Sequence, residues 1–357
     1  MAHYMGRALQ RHAGDVTLVG PITTAGEVWS RVRNRVSRTM GGRIHPNMHT
    51  VELAQTHARM IQRRLPRDVD VIFAPLGSTQ IAFLETAAPI IYLTDATFEL
   101  VRDYYHDFTG LSEEYGAMAQ ELELRATQKA RLLLYPSTWA ADSALRSYGA
   151  SPERVHVIPY GASIDSAPPE ELIAPAKAQD RCSLVFLGGD WERKGGPLAY
   201  QTVMALRRRG IDALLLVCGC NPAGSYDPAA LRVVPRIDKS TEKGRAAMMA
   251  LLLSANFLLQ PARQEMFGIA YCEASAHGTP SIGTDTGGVS SAVINGENGF
   301  LLPPEAGAEA YADLIADLFG DRDRYLSLVA SSRKAFDTTL NWDTWGKRVA
   351  ELIRGVM

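Results

Sequence analysis

The sequence predicts an α/β protein of two lobes, each a parallel sheet covered by helices, and three observations carry this. At 357 residues the chain exceeds one ordinary core, so two domains of roughly 150 to 200 residues are the natural division. Its composition is globular, with 46% hydrophobic and 21% charged residues. Short β-branched or leucine-rich runs alternate with amphipathic segments throughout, the pattern of βα units rather than of a sandwich or a bundle.

The chain opens on Tyr4, Met5, Ala8 and Leu9, the apolar stripe of a helix, and 16–19 then reads as a strand. A βαβ unit needs a strand before that helix, and residues 1–3 are too few to form one. The first lobe is therefore expected to lack its first strand and to leave an exposed edge beside 16–19. Its further strands are expected at 70–74, 89–93, 131–135 and 155–158. The stretch 163–181 is rich in Ala, Pro and acidic residues, and Pro168, Pro169 and Pro175 oppose a regular element there. The linker is accordingly placed at 166–182, between a first lobe of 1–165 and a second of 183–340. Strands of the second lobe are expected at 183–187, 213–217, 256–259, 280–283 and 299–302. The apolar run 246–259 is broken by Ser254 and Asn256, so it reads as a buried helix leading into a strand. A closing helix within 341–357 is expected to pack back on the first lobe.

Bulk features exclude several classes. A net charge of −2 gives no general drive toward nucleic acid, so a polyanionic ligand must be met by locally placed cations. Cys182, Cys218, Cys220 and Cys272 form no CxxC pair and read as four buried thiols of a reducing compartment. Arg7 and Arg11 precede no apolar signal core, and no run of about 20 apolar residues follows. A cytoplasmic protein is expected.

The most informative stretch is QPARQEMFGIAYCEASAHGTPSIGTDTGG, residues 260–288. Gly268 lets the chain enter a helix at close quarters with a ligand, and the first free N–H groups of that helix attract a diphosphate. Glu265 stands just before the helix and Glu273 lies one to two turns inside it, about 7 to 8 Å further along. Carboxylates suit hydroxyl-rich ligands, because each accepts two charge-assisted hydrogen bonds. Taken singly, Glu265 reads as a helix-start carboxylate favoured by the macrodipole and Glu273 as a solvated helix residue. Their company of Phe267-Gly268, Gly278-Thr279-Pro280 and Gly287-Gly288 reverses that balance.

In order and spacing this stretch resembles the E-x7-E donor signature of family-four retaining glycosyltransferases of the GT-B fold, two Rossmann-like parallel-sheet lobes. A weaker likeness runs over nearly the whole chain. The resemblance implies that Glu265 binds hydroxyls of a donor sugar and Glu273 the ribose hydroxyls, with Phe267, Gly268 and Ile269 around the diphosphate. A second element, FLGGDWERKGG at 186–196, places Gly188 and Gly189 at a strand end with Lys194 beyond. Family members usually carry an arginine at the position of Gly189, clamping the diphosphate together with the lysine. Here Arg193 is the candidate for the second cation. Ile237 and Lys239 fall where the family meets the nucleobase.

In the first lobe Asp95 ends a strand where many relatives have a histidine. Two readings fit it: orienting an acceptor hydroxyl or stabilising an oxocarbenium-like sugar, and capping the helix that begins near Thr97. Between Glu27 and Arg38, Val28, Val32 and Val36 share one face and Arg31, Arg35 and Arg38 another. That is either a solvated helix or one that touches an anionic membrane. His45 and His49 share i, i+4 spacing but have no third ligand nearby, so no metal site is expected.

The expectation is a metal-independent hexosyltransferase that needs a nucleotide-diphosphate sugar as co-substrate, a glycosyl acceptor and no further cofactor. Its rivals are another GT-B enzyme, such as a sugar-nucleotide epimerase or a phosphorylase, and a catalytically silent sugar-nucleotide binding protein.

Overall fold

A computed structural model describes residues 1–24 and 49–357. Two compact units result, each containing one parallel sheet. Met1–Ala8 joins Pro159–Gly346 in one unit, and Leu9–Ile158 joins Lys347–Met357 in the other.

The sheet of the Leu9–Ile158 unit has the order β1-β2-β3-β4, built from Ile72–Pro75, Ile90–Leu93, Leu132–Tyr135 and Val155–Val157. All three pairings are parallel. β2 and β3 are buried along their full length, which is why their sequences are continuous apolar runs rather than alternating ones. The expected strand at 16–19 does not form: these residues are irregular, and Leu18 is 84% exposed. Without a ladder partner among the described residues, an apolar tetrapeptide has no hydrogen bonds with which to hold an extended form. The preceding helix Ala2–His12 is present, with Met5, Ala8 and Leu9 buried as the stripe requires. The basic stretch between Glu27 and Arg38, and His45, lie outside the described residues.

The sheet of the Pro159–Gly346 unit has six parallel strands in the order β10-β9-β8-β5-β6-β7. In chain order they are β5 Cys182–Leu187, β6 Ala213–Cys218, β7 Leu231–Val233, β8 Phe257–Gln260, β9 Ser281–Thr284 and β10 Gly299–Leu302. A core of Leu184, Phe186, Leu215, Val217, Phe257, Leu259 and Ile282 runs through it. The helix Glu242–Ser254 leads into β8, as the run 246–259 predicts. The chain builds β5, β6 and β7 outward on one side and then returns to place β8 on the other flank of β5. That reversal makes a topological switch point, and ligands of open α/β sheets bind in the crevice it leaves at the strand carboxyl ends. The loops that follow Leu187 and Gln260 both open there.

The proline-rich stretch before β5 is more ordered than its composition suggests. It contains a 3-10 turn Glu170–Leu172 and a helix Ile173–Lys177. Pro175 is tolerated because it lies in the first turn, where its missing N–H has no intrahelical partner to lose. Of the four thiols expected to be buried, Cys182, Cys218 and Cys272 are buried and Cys220 is half-exposed at the end of β6.

Candidate functional site

At the switch point two loops meet. After β5 the chain turns through 188–195 into the helix Gly196–Arg208, and after β8 it passes through 261–268 into the helix Ile269–Ala276. Gly195 (φ +80°) must be glycine because a Cβ there would lie 1.8 Å from the Pro261 carbonyl oxygen, so the two loops are in contact. Gly268 (φ +87°) is the N-cap of the second helix, and a Cβ on it would run into the Tyr271 ring at 2.5 Å. It offers no side chain to cap the helix; the Tyr271 N–H turns back to the Gly268 carbonyl at 3.0 Å, and the N–H groups of Ile269 and Ala270 remain for a ligand.

Lys194 and Glu265 form an ion pair across these loops, with their side chains only 13% and 11% exposed. The stem of Lys194 passes over Gly188, where a Cβ would sit 3.0 Å from Lys194 Cγ. Gly189 is different: a Cβ there would meet only the Gly219 carbonyl oxygen at 4.0 Å, so the backbone does not demand glycine at this position. The guanidinium of Arg193 donates to the Gln264 carbonyl at 2.8 Å and lies 3.6 Å from Asp190. Its charge is thus engaged in bracing the two loops.

Glu273, inside the helix, has a different lysine. Lys239 Nζ donates to Glu273 Oε1 at 2.6 Å, from the loop beyond β7 that also carries Ile237. Burial raises the Glu273 carboxyl above its ordinary pKa, and Lys239 opposes that rise. The same loop is fixed by Arg245, whose guanidinium pairs with Asp165 at 3.0 Å and donates to the Ser240 carbonyl at 3.0 Å. Phe267 is buried against Tyr160, with ring centroids 5.4 Å apart and nearly perpendicular planes. One lobe therefore brings together Gly188, Lys194, Glu265, Phe267, Gly268 and Ile269 at the helix head, and Lys239 with Glu273 further in.

The Gly278-Thr279-Pro280 part of the signature turns away from this site. Thr279 Oγ1 donates to the Leu252 carbonyl at 2.8 Å and accepts from the buried Lys177 Nζ at 2.7 Å, a structural duty. Gln260 is the residue that sequence reasoning missed. Its side chain lies fully buried beneath Lys194, and its only sequence signal is a polar residue ending an apolar strand.

In the other unit, Asp95 is half-buried at the bend beyond β2. The helix Phe98–Val101 that follows has Thr97 as its N-cap, with no side-chain cap hydrogen bond. Among the described residues of this unit, Leu76, directly beyond β1, and Asp103, beyond the helix Phe98–Val101, are the non-glycine residues with left-handed φ, at 53° and 57°. Such strain concentrates where a surface is shaped for function.

Among the described residues no group of three or more His, Cys, Asp or Glu side chains is arranged to hold a metal ion. None of the described helices is long and apolar enough to cross a membrane.

Comparison with known proteins gives consistent matches over both halves. Residues 1–166 match the family model described as Glycosyltransferase Family 4, and residues 181–321 match that of Glycosyl transferases group 1. The chain is 23% identical, over 99% of its length and 93% of the relative's, to a GDP-mannose-dependent alpha-(1-6)-phosphatidylinositol monomannoside mannosyltransferase of Mycobacterium tuberculosis. It is 29% identical to a D-inositol 3-phosphate glycosyltransferase of Jonesia denitrificans, over 52% of this chain and 48% of that one. Among solved structures, sucrose-phosphate synthase from Thermosynechococcus elongatus superposes with a TM-score of 0.66 at 18% identity, covering 87% of this chain and 80% of that one. Anabaena HepE in complex with UDP and glucose does so with a TM-score of 0.61 at 18% identity, covering 87% and 84%.

Proposed function

The chain belongs to the family-four glycosyltransferases of the GT-B fold, and on that premise we propose that it moves a hexose from a nucleotide-diphosphate sugar to an acceptor hydroxyl, with retention of anomeric configuration and without a metal. One observation carries the reading: two carboxylates stand in sequence at the switch point, Glu265 in the loop before the helix Ile269–Ala276 and Glu273 inside it, each with its own lysine.

Lys194 and the N–H groups at the head of Ile269–Ala276 take the diphosphate, with Gly188 and Gly189 allowing the backbone close to it. Glu265 holds sugar hydroxyls and Glu273 the ribose hydroxyls. The loop carrying Ile237 and Lys239 borders the base. In the step itself the bond from C1 to the phosphate oxygen breaks and C1 bonds to the acceptor oxygen on the same face. The acceptor's proton passes to the departing phosphate oxygen. Negative charge grows on the leaving diphosphate, so Lys194 and the helix head bind it more strongly in the transition state than in the ground state. No metal is required for that task. The acceptor hydroxyl is assigned to Asp95. The names of the mycobacterial relative and of a further Anabaena HepE structure, in complex with UDP-glucose, make GDP-mannose and UDP-glucose the first donors to try.

The two glutamates separate the reading from its rivals. Glu273→Gln should weaken binding of the free nucleoside diphosphate, because the ribose is common to nucleotide and donor. The loss should be about 5- to 150-fold, the cost of reducing a charge-assisted hydrogen bond to a neutral one at about 1 to 3 kcal/mol. Glu265→Gln should leave free-nucleotide affinity no weaker, since it releases Lys194, while cutting transfer by a similar factor. Calorimetry and turnover measure these separately. Equal weakening by both substitutions, or no effect of either, refutes the assignment.

A further inference from the structure

Gln260 ends β8 with its side chain fully buried. With the amide set so that its nitrogen donates to the Leu187 carbonyl at 2.7 Å, its oxygen accepts from Lys194 Nζ at 3.1 Å. The opposite setting would face donor with donor and acceptor with acceptor. The main chain beside it is held as well, because the Gln260 carbonyl accepts from Tyr271 Oη at 3.1 Å and from the Ala262 N–H at 2.8 Å. One side chain thus ties together the carboxyl ends of β5 and β8, the two strands that define the switch point, and reaches the lysine between their loops.

A buried amide is costly at a position an apolar residue would fill, unless its hydrogen bonds are made. Here both are made, and one goes to an ammonium that is also paired with Glu265. The two acceptors differ in charge. Glu265 neutralises Lys194, whereas Gln260 orients the ammonium and leaves its charge intact. When Glu265 turns to a sugar, Lys194 still needs an acceptor to fix its position, and a neutral one keeps the full charge for the diphosphate.

We propose that Gln260 is a positioning residue of the transfer reaction, holding the Lys194 ammonium at the floor of the site toward the donor diphosphate. This rests on the donor-site reading given above. Gln260→Met keeps the side-chain length and removes both hydrogen bonds. It should weaken binding of free UDP or GDP about tenfold, the loss of one hydrogen bond to a charged group. The discriminating readout is the same substitution in a Lys194→Met background. There Gln260→Met should cost nothing further, because the ammonium it positions is gone. A role confined to packing would cost the same in both backgrounds. Calorimetry with UDP and GDP on the four proteins, each first shown to be folded by thermal unfolding, decides the matter. Gln260→Leu and Lys194→Gln stand in if either methionine variant does not fold. An affinity within twofold of the parent for Gln260→Met, or equal losses in the two backgrounds, overturns the proposal. Failure of the parent protein to bind either nucleotide overturns the donor-site reading instead.

Discussion

Glu123, buried in the helix Glu113–Lys129, accepts from Tyr92 Oη at 3.0 and 3.2 Å on its two carboxylate oxygens. Burial raises its pKa from 4.5 to about 7, against hydrogen bonds from Tyr92 and Ser78 that favour the charged form. A raised folded-state pKa means that the folded protein binds this proton more tightly than the unfolded chain does. The group's contribution is therefore full below about pH 4.5 and is lost as pH rises to about 7, a change of at most roughly 3 kcal/mol. His49 and His277 slope the other way, since burial lowers both to about 4 and stability falls as pH drops below 6.5. Denaturant titration of wild type against Glu123→Gln cancels the histidines. Wild type should lose stability relative to the variant between about pH 4.5 and about pH 7, and parallel curves would show that Glu123 is ionised in the fold throughout. None of this was legible in the sequence, where Glu123 sits in a helix rich in solvated glutamates. The same limit applies to the site. The order of Glu265 before the helix and Glu273 inside it can be read from spacing, but their lysines come from loops that only the strand order brings near.

Among elements, the helix Ile173–Lys177 shows how a segment of linker-like composition becomes structured. Lys177 Nζ is buried and donates to the Leu252 carbonyl at 2.8 Å, the Ala255 carbonyl at 2.6 Å and Thr279 Oγ1 at 2.7 Å. Its own carbonyl accepts from Arg322 at 3.1 Å. Burial pushes this ammonium well below the usual lysine pKa, yet three acceptors surround it. Lys177→Met removes the ammonium's desolvation cost but strands the Ala255 carbonyl, and an unsatisfied buried acceptor costs about 1 to 3 kcal/mol. The variant should unfold at lower denaturant concentration. Equal or greater stability would mean that ammonium desolvation outweighs the three hydrogen bonds. Strands buried on both faces were legible to within a residue or two, because their apolar runs are uninterrupted, as at β2, β3 and β5. β7 was not, since only Leu231 of its three residues is buried and the strand lies at the sheet edge. The run 16–19 misled for the converse reason: it has the composition of a strand and, among the described residues, no strand pairs with it.

For the whole molecule, two α/β units follow from length and from the alternation of runs, and both sheets are parallel as that alternation requires. The attachment of the first eight residues is a matter of tertiary contact that local pattern does not record. Met1–Ala8 belongs with the six-stranded sheet, and Lys347–Met357 with the four-stranded one. On the function proposed above, the six-stranded unit holds a nucleotide-diphosphate sugar by two carboxylates, a lysine and a helix head, and the sugar leaves with its configuration kept and no metal present. Hydrolysis of an α-linked donor by the purified protein in excess chelator, followed by proton NMR before the free sugar mutarotates, tests this most directly, because water stands in for the acceptor. The α-anomer should appear first, and the chelator should not slow its release. First appearance of the β-anomer, or activity that vanishes in chelator and returns only with manganese or magnesium, would contradict it.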